Sequence, residues 1–159
     1  MINKKVKETT IILSAFYGLS KDFEKHLGDK NLNIKQITDN DNYMYERKIL
    51  RILQKLEIAL KFSKYEKKAE KYLNKCIDRI NSKRTYTFSY AVLGYSLLAK
   101  YKEEWKNKRL TVAVNYDDLN DVYFKIEESL KKRTTNEENT NFLVESMQMA
   151  DDLYREILK

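Results

Sequence analysis

The stretch TYTFSYAVLGYSLLA, residues 85–99, holds no charged side chain, in a 159-residue chain of which 35% is charged. Read at about 100° per residue, it is apolar on two faces. Phe88, Ala91, Val92, Tyr95 and Leu98 make one face; Tyr90, Leu93, Leu97 and Tyr101 make the other. A helix apolar all round is surrounded by other protein elements or by lipid. The stretch is shorter than the roughly 20 residues a bilayer span needs, and it carries Thr, Ser and Tyr hydroxyls. It therefore predicts the buried central helix of a bundle, over about residues 85–106.

The composition around it agrees. Proline is absent and glycine occurs only at Gly18, Gly28 and Gly94. Such a chain lacks the turn punctuation of sandwiches and barrels. At 159 residues it can bury a real core as one domain. The expectation is an all-α, single-domain irregular bundle of five or six helices over residues 1–159. Cys76 is the only cysteine, which excludes an internal disulfide framework and fits a reducing cytosol. Lys4, Lys5 and Lys7 precede an apolar run at 11–19, the outline of a signal peptide. Glu8 interrupts the basic part and no small-x-small cleavage site follows, so a retained cytoplasmic helix is expected.

Charge is unevenly laid out. Residues 1–46 carry 7 basic and 7 acidic side chains, whereas residues 47–84 carry 13 and 4. Residues 115–159 reverse the sign, with 6 basic and 11 acidic. A basic middle and an acidic tail have two meanings. The halves of one bundle complement each other, or the middle presents a basic face to a polyanion.

Taken in order, helix one is expected over about 4–27, with Asn3 as N-cap and Gly28 as a C-terminal cap at positive φ. Gly18 in its middle marks a kink or a close helix crossing. Residues 29–42 read as a polar loop, with Asp39 or Asp41 capping the next helix. That helix has the stripe Tyr45, Ile49, Ile52, Leu53, Leu56, Ala59, Leu60; beyond it runs Phe62, Tyr65, Ala69, Leu73, Cys76, Ile80. The two stripes are about 140° out of phase. A break near 61–63 is predicted, with Ser63 and Glu66 as a capping box; one long helix touching different neighbours is the alternative. Residues 110–114 read as an extended connector, or as an edge that pairs with a second chain. A helix with Leu119, Val122, Tyr123, Ile126 and Leu130 follows. A polar loop at 134–140 then leads to a last helix with Phe142, Leu143, Met147, Ala150 and Leu153.

Candidate chemistry is sparse. Asp117, Asp118 and Asp121 form D-D-x-x-D, which resembles the magnesium–diphosphate motif of all-α prenyl synthases; the second aspartate-rich motif of that family is absent. Acids in a first helical turn also simply favour the dipole. His26, the only histidine, is expected at a helix C-terminus, and Cys76 in the core. One Cys and one His are too few for a Cys/His zinc site in one chain. No two glycines lie close enough for a phosphate loop.

The strongest signal is basic. Arg47, Arg51 and Lys55 lie opposite the first apolar stripe, and Lys64, Lys67, Lys68, Lys71, Lys75 and Arg79 opposite the second; Lys83 and Arg84 extend the run. Tyr43, Tyr65, Tyr72 and Tyr86 lie nearby, for packing or for stacking on bases. The expected function is non-catalytic binding of nucleic acid or a nucleoprotein complex through this face, without base-specific readout and without a cofactor. The alternative is a protein–protein module, such as an inhibitor, antitoxin-like or accessory protein of a bacterium or mobile element. A metal-dependent all-α enzyme ranks third. No membrane partner is expected, and a homodimer is compatible with the sequence.

Overall fold

The computed structural model describes residues 4–81, 86–105, 114, 116–134, 136–153 and 155. Among them are seven α-helices, one 3-10 turn and no strand. The helices are α1 (Lys4–Asp29), α2 (Ile34–Asp39), α3 (Met44–Lys61), α4 (Glu66–Asn81), α5 (Tyr86–Trp105), α6 (Tyr116–Arg133) and α7 (Glu137–Leu153), with the 3-10 turn (Asp41–Tyr43) leading into α3. The all-α bundle is as the sequence predicts. Among the described residues no helix is long and apolar enough to cross a membrane.

α5 is the central helix. Ala91, Val92, Leu93, Leu97 and Leu98 are fully buried, and Tyr90 and Tyr101 nearly so. It packs on α1, α4, α6 and α7, which accounts for apolar residues around its whole girth. It shares the centre with α1, its most extensive neighbour, which is buried continuously from Glu8 to Ala15. α1 carries hydroxyls into the core without leaving them unmet. Thr9 donates to the Lys5 carbonyl at 2.6 Å, Thr10 to Val6 at 2.7 Å and Ser14 to Ile11 at 2.6 Å. A buried polar group bonded to its own helix avoids most of the desolvation cost. Glu8 is fully buried too; it accepts from the Tyr101 hydroxyl at 3.1 Å and lies 3.9 Å from Lys4.

Glycine sets the approach of α1 to α5. A Cβ on Gly18 would lie 2.9 Å from the Tyr90 carbonyl oxygen, and one on Gly94 would lie 2.7 Å from that of Ser14. The close crossing is therefore the role of Gly18. Gly28 does not cap α1, because no described glycine has positive φ. Asn31 takes that conformation at φ 55° instead. Leu32 N–H bonds the Leu27 carbonyl at 2.9 Å and Asn31 N–H bonds that of Gly28 at 3.1 Å, the paired bonds of a Schellman ending.

Three further local expectations change. The stretch read as a loop at 29–42 contains α2, started by a capping box of Asn33 and Gln36 and anchored by fully buried Ile37. Neither Asp39 nor Asp41 caps α3; Asn40 caps the 3-10 turn, and α3 begins without a side-chain cap. The loop at 134–140 is shorter than expected, since α7 starts at Glu137.

The predicted break is present, with α3 ending at Lys61 and α4 starting at Glu66. Ser63 does not form the expected capping box. Its Oγ accepts from Tyr65 N–H at 3.2 Å and lies 3.4 Å from the Thr9 hydroxyl of α1. Phe62, assigned to the second stripe, ends α3 instead and is 84% exposed. Among the described residues, the core positions of α4 are Ala69, Leu73 and Ile77. Asn3 and the segment 110–113 lie outside the described residues, as do the side chains of Cys76 and Ile80.

Candidate functional site

α4 positions the candidate site. Burying Ala69, Leu73 and Ile77 against α1 and α5 fixes which side faces water. Lys67, Lys68, Lys71 and Lys75 follow at offsets of one, four and eight residues, an arc of about 100° opposite that stripe. All four are exposed, as is Lys64 in the preceding turn. Lys75 sits above the Tyr72 ring, 5.8 Å from its centroid. Among the described residues, no carboxylate lies within ion-pair distance of these five lysines. From Lys67 to Lys75 the ridge is about 12 Å long at 1.5 Å per residue.

The α3 part of the predicted face behaves differently. Arg47 is paired with Asp41 at 2.9 Å, tying the start of α3 to the 3-10 turn. Lys55 reaches Asp118 of α6 at 3.7 Å. Arg51 is exposed. Arg79 lies on α4 with its side chain outside the described residues, and Lys83 and Arg84 lie outside them altogether. The acidic tail also pairs inward elsewhere, through Asp151 of α7 with Lys100 of α5. The basic middle and acidic tail thus complement each other in part, with α4 left over.

Asp118, the centre of D-D-x-x-D, is engaged with Lys55, while Asp117 and Asp118 sit in the first turn of α6 where the dipole favours them. Among the described residues no three His, Cys, Asp or Glu side chains converge as a metal-binding group. Of the tyrosines near the basic run, Tyr43 packs against the core and Tyr65 and Tyr72 are half-buried. Tyr86 has its side chain outside the described residues. At the α5–α6 seam, Tyr95 stacks on Tyr123 at 5.1 Å and Lys102 sits 4.6 Å from the Tyr123 ring. Burial, then the Tyr95 and Glu127 groups beside it, push the Tyr123 hydroxyl well above the usual tyrosine range.

A second feature was not foreseen from the sequence. An open cleft of about 700 Å³ lies between the C-terminal half of α1, the start of α3 and α6. Glu46, only 4% exposed, takes His26 Nε2 at 3.2 Å and Lys30 at 3.6 Å. Burial alone would raise the Glu46 carboxyl, but the His26 hydrogen bond, its own backbone bond and the Lys30 charge hold it below the ordinary range. Lys125 lies 4.7 Å from the Tyr45 ring, whose hydroxyl is pushed up by burial and by Glu128, Asp22 and Glu46. Ser129 donates to Asp22 at 2.7 Å, and Lys132 pairs with Glu128 at 3.6 Å. Glu46 is answered across the cleft by His26 and Lys30, and acidic and basic side chains line the cleft in nearly equal number, so it offers no large surplus of either sign. The lysine ridge does.

Comparison with protein-family models, with curated proteins and with solved structures gives no match.

Proposed function

We propose that this protein is a non-catalytic helical binding protein that docks on nucleic acid, free or within a nucleoprotein complex, through the lysine ridge of α4. One observation carries the proposal: Lys64, Lys67, Lys68, Lys71 and Lys75 stay exposed and, among the described residues, without carboxylate partners, while Arg47 and Lys55 of α3 are each engaged by a carboxylate at the surface of the bundle. A row of lysines acts on a phosphate backbone as a set of point charges that displaces condensed counterions. Its length of about 12 Å matches about three or four phosphates of one strand. Such contacts fix affinity and position, and leave sequence unread.

The test is a fluorescence-anisotropy titration of labelled DNA and RNA at about 50 and 200 mM salt. Three or four phosphate contacts give a log–log salt slope of about −2 to −3.6, so affinity falls by about 20- to 150-fold over that range. Changing all five lysines to Gln abolishes binding while the helical circular-dichroism spectrum is retained. Absence of binding at the lower salt overturns the proposal, and capture of a protein partner by the five-Gln variant would then favour a protein–protein module.

A further inference from the structure

We propose that Phe62 is a stacking platform for an unpaired base, so that the ligand of the α4 ridge is a single strand rather than a duplex. This rests on the ridge being a nucleic-acid surface and specifies its substrate class. Phe62 is the most exposed large apolar side chain among the described residues, at 84%. Ile58, one turn earlier on the same side of α3, is 57% exposed.

The outward position of Phe62 is built in rather than frayed. Its N–H donates to the Ile58 carbonyl at 3.3 Å, and Ser63 N–H donates to that of Leu60 at 3.0 Å. Leu60, two residues before, is buried in the core. On the other side, the Ser63 hydroxyl takes the Tyr65 N–H and meets Thr9 of α1. The backbone of the turn is thus held before and after Phe62, which keeps this residue at the exposed end of α3.

The neighbours of Phe62 decide what covers it. Lys61 precedes it, Lys64 follows, and Lys67 and Lys68 open the ridge; all are exposed. An apolar ring among uncompensated cations is a poor complement to a hydrophobic protein groove, which would have to accept the lysines too. It complements a flexible polyanion that carries its own π-faces. Single-strand binders combine these two elements, a positive track for the backbone and an aromatic face for the bases. A duplex keeps its bases stacked inside and gives Phe62 nothing apolar to meet.

The experiment compares the full chain with Phe62→Ala, Phe62→Trp and the five-Gln ridge variant. Each is titrated with a labelled oligothymidylate, a hairpin duplex of equal charge and phosphatidylserine vesicles. The expected result is tighter binding of the single strand than of the duplex by the wild type. Phe62→Ala lowers single-strand affinity by about 5- to 150-fold, the usual effect of losing one stacked base, and leaves duplex affinity unchanged. Phe62→Trp keeps the preference, and its added fluorescence is quenched by the oligothymidylate. Equal loss on both nucleic acids, or no loss on either, with binding still abolished in the ridge variant, overturns the stacking role and leaves the ridge as a plain phosphate surface. Wild-type binding to neither nucleic acid overturns both. Phe62-dependent binding of vesicles without a single-strand preference assigns the patch to a membrane and overturns the proposal.

Discussion

Gly18 of α1 and Gly94 of α5 face each other where the two helices cross: a Cβ on Gly18 would lie 3.3 Å from the Gly94 Cα, and one on Gly94 would lie 3.4 Å from the Gly18 Cα. Neither position has room for a methyl group, because the nearest obstacles are backbone carbonyl oxygens that cannot rotate away. Gly18→Ala and Gly94→Ala are therefore expected to destabilise the fold by about 1–3 kcal/mol each, despite the better helix propensity of Ala. Gly28→Ala is the control. Nothing lies within 4 Å of its Cβ position and it lies within α1, so it should stabilise by about 0.5–1 kcal/mol. Urea unfolding of the three variants checks both signs.

Asn31 gives a separate test of the α1 ending. Its φ of 55° is the left-handed conformation, which Asn tolerates and Ala does not. Asn31→Ala should lower stability by about 1 kcal/mol, whereas Asn31→Gly should hold or improve it. A fall in thermal midpoint with Gly as well would mean that the Asn31 side chain, and not the backbone, terminates the helix.

The Glu46 cluster links stability to acid. The carboxyl is held below its ordinary value of 4.5, so the unfolded chain takes up the proton more readily than the native one. Its contribution is present above about pH 4.5 and is lost as pH falls through the lowered native value. Urea midpoints measured from neutral to acid pH should therefore drop more steeply for the wild type than for Glu46→Gln. Glu46→Gln should start lower at neutral pH, since it weakens the hold on both His26 and Lys30. Parallel acid limbs for the two proteins would show that other carboxylates govern the loss.

Much of the fold was legible because burial follows local pattern. The uncharged run at 85–99 yielded α5, and the phase slip between two stripes located the break after Lys61. α1 is a core helix although Thr9, Thr10 and Ser14 are polar by type, because their hydroxyls bond back to α1 itself. α2 was missed although Asn33, Gln36 and Ile37 carry a capping signal, because six residues are too few to show a period. The basic residues were legible as a list but not as a surface. Which of them pair depends on contacts such as Lys55 with Asp118, 63 positions apart in the sequence. The cleft around Glu46 had no sequence signal, because it joins residues of α1, α3 and α6 without a shared spacing.

That division among the cations predicts unequal effects within one basic run. Lys55 is already engaged by Asp118 and Arg47 by Asp41, so their charge is partly answered before any ligand arrives. Lys67 and Lys71, one helical turn apart on α4, are exposed and carry no such pair among the described residues. The double change Lys67→Gln, Lys71→Gln should reduce the salt slope for nucleic acid by about 1–2 and leave the thermal midpoint in place. Arg47→Gln with Lys55→Gln removes the same formal charge. It should change the slope by less than half as much and cost about 0–1 kcal/mol of stability per exposed pair broken. Equal slopes for the two double variants would mean that polyanion binding responds to net charge alone, and would remove the reason for singling out α4.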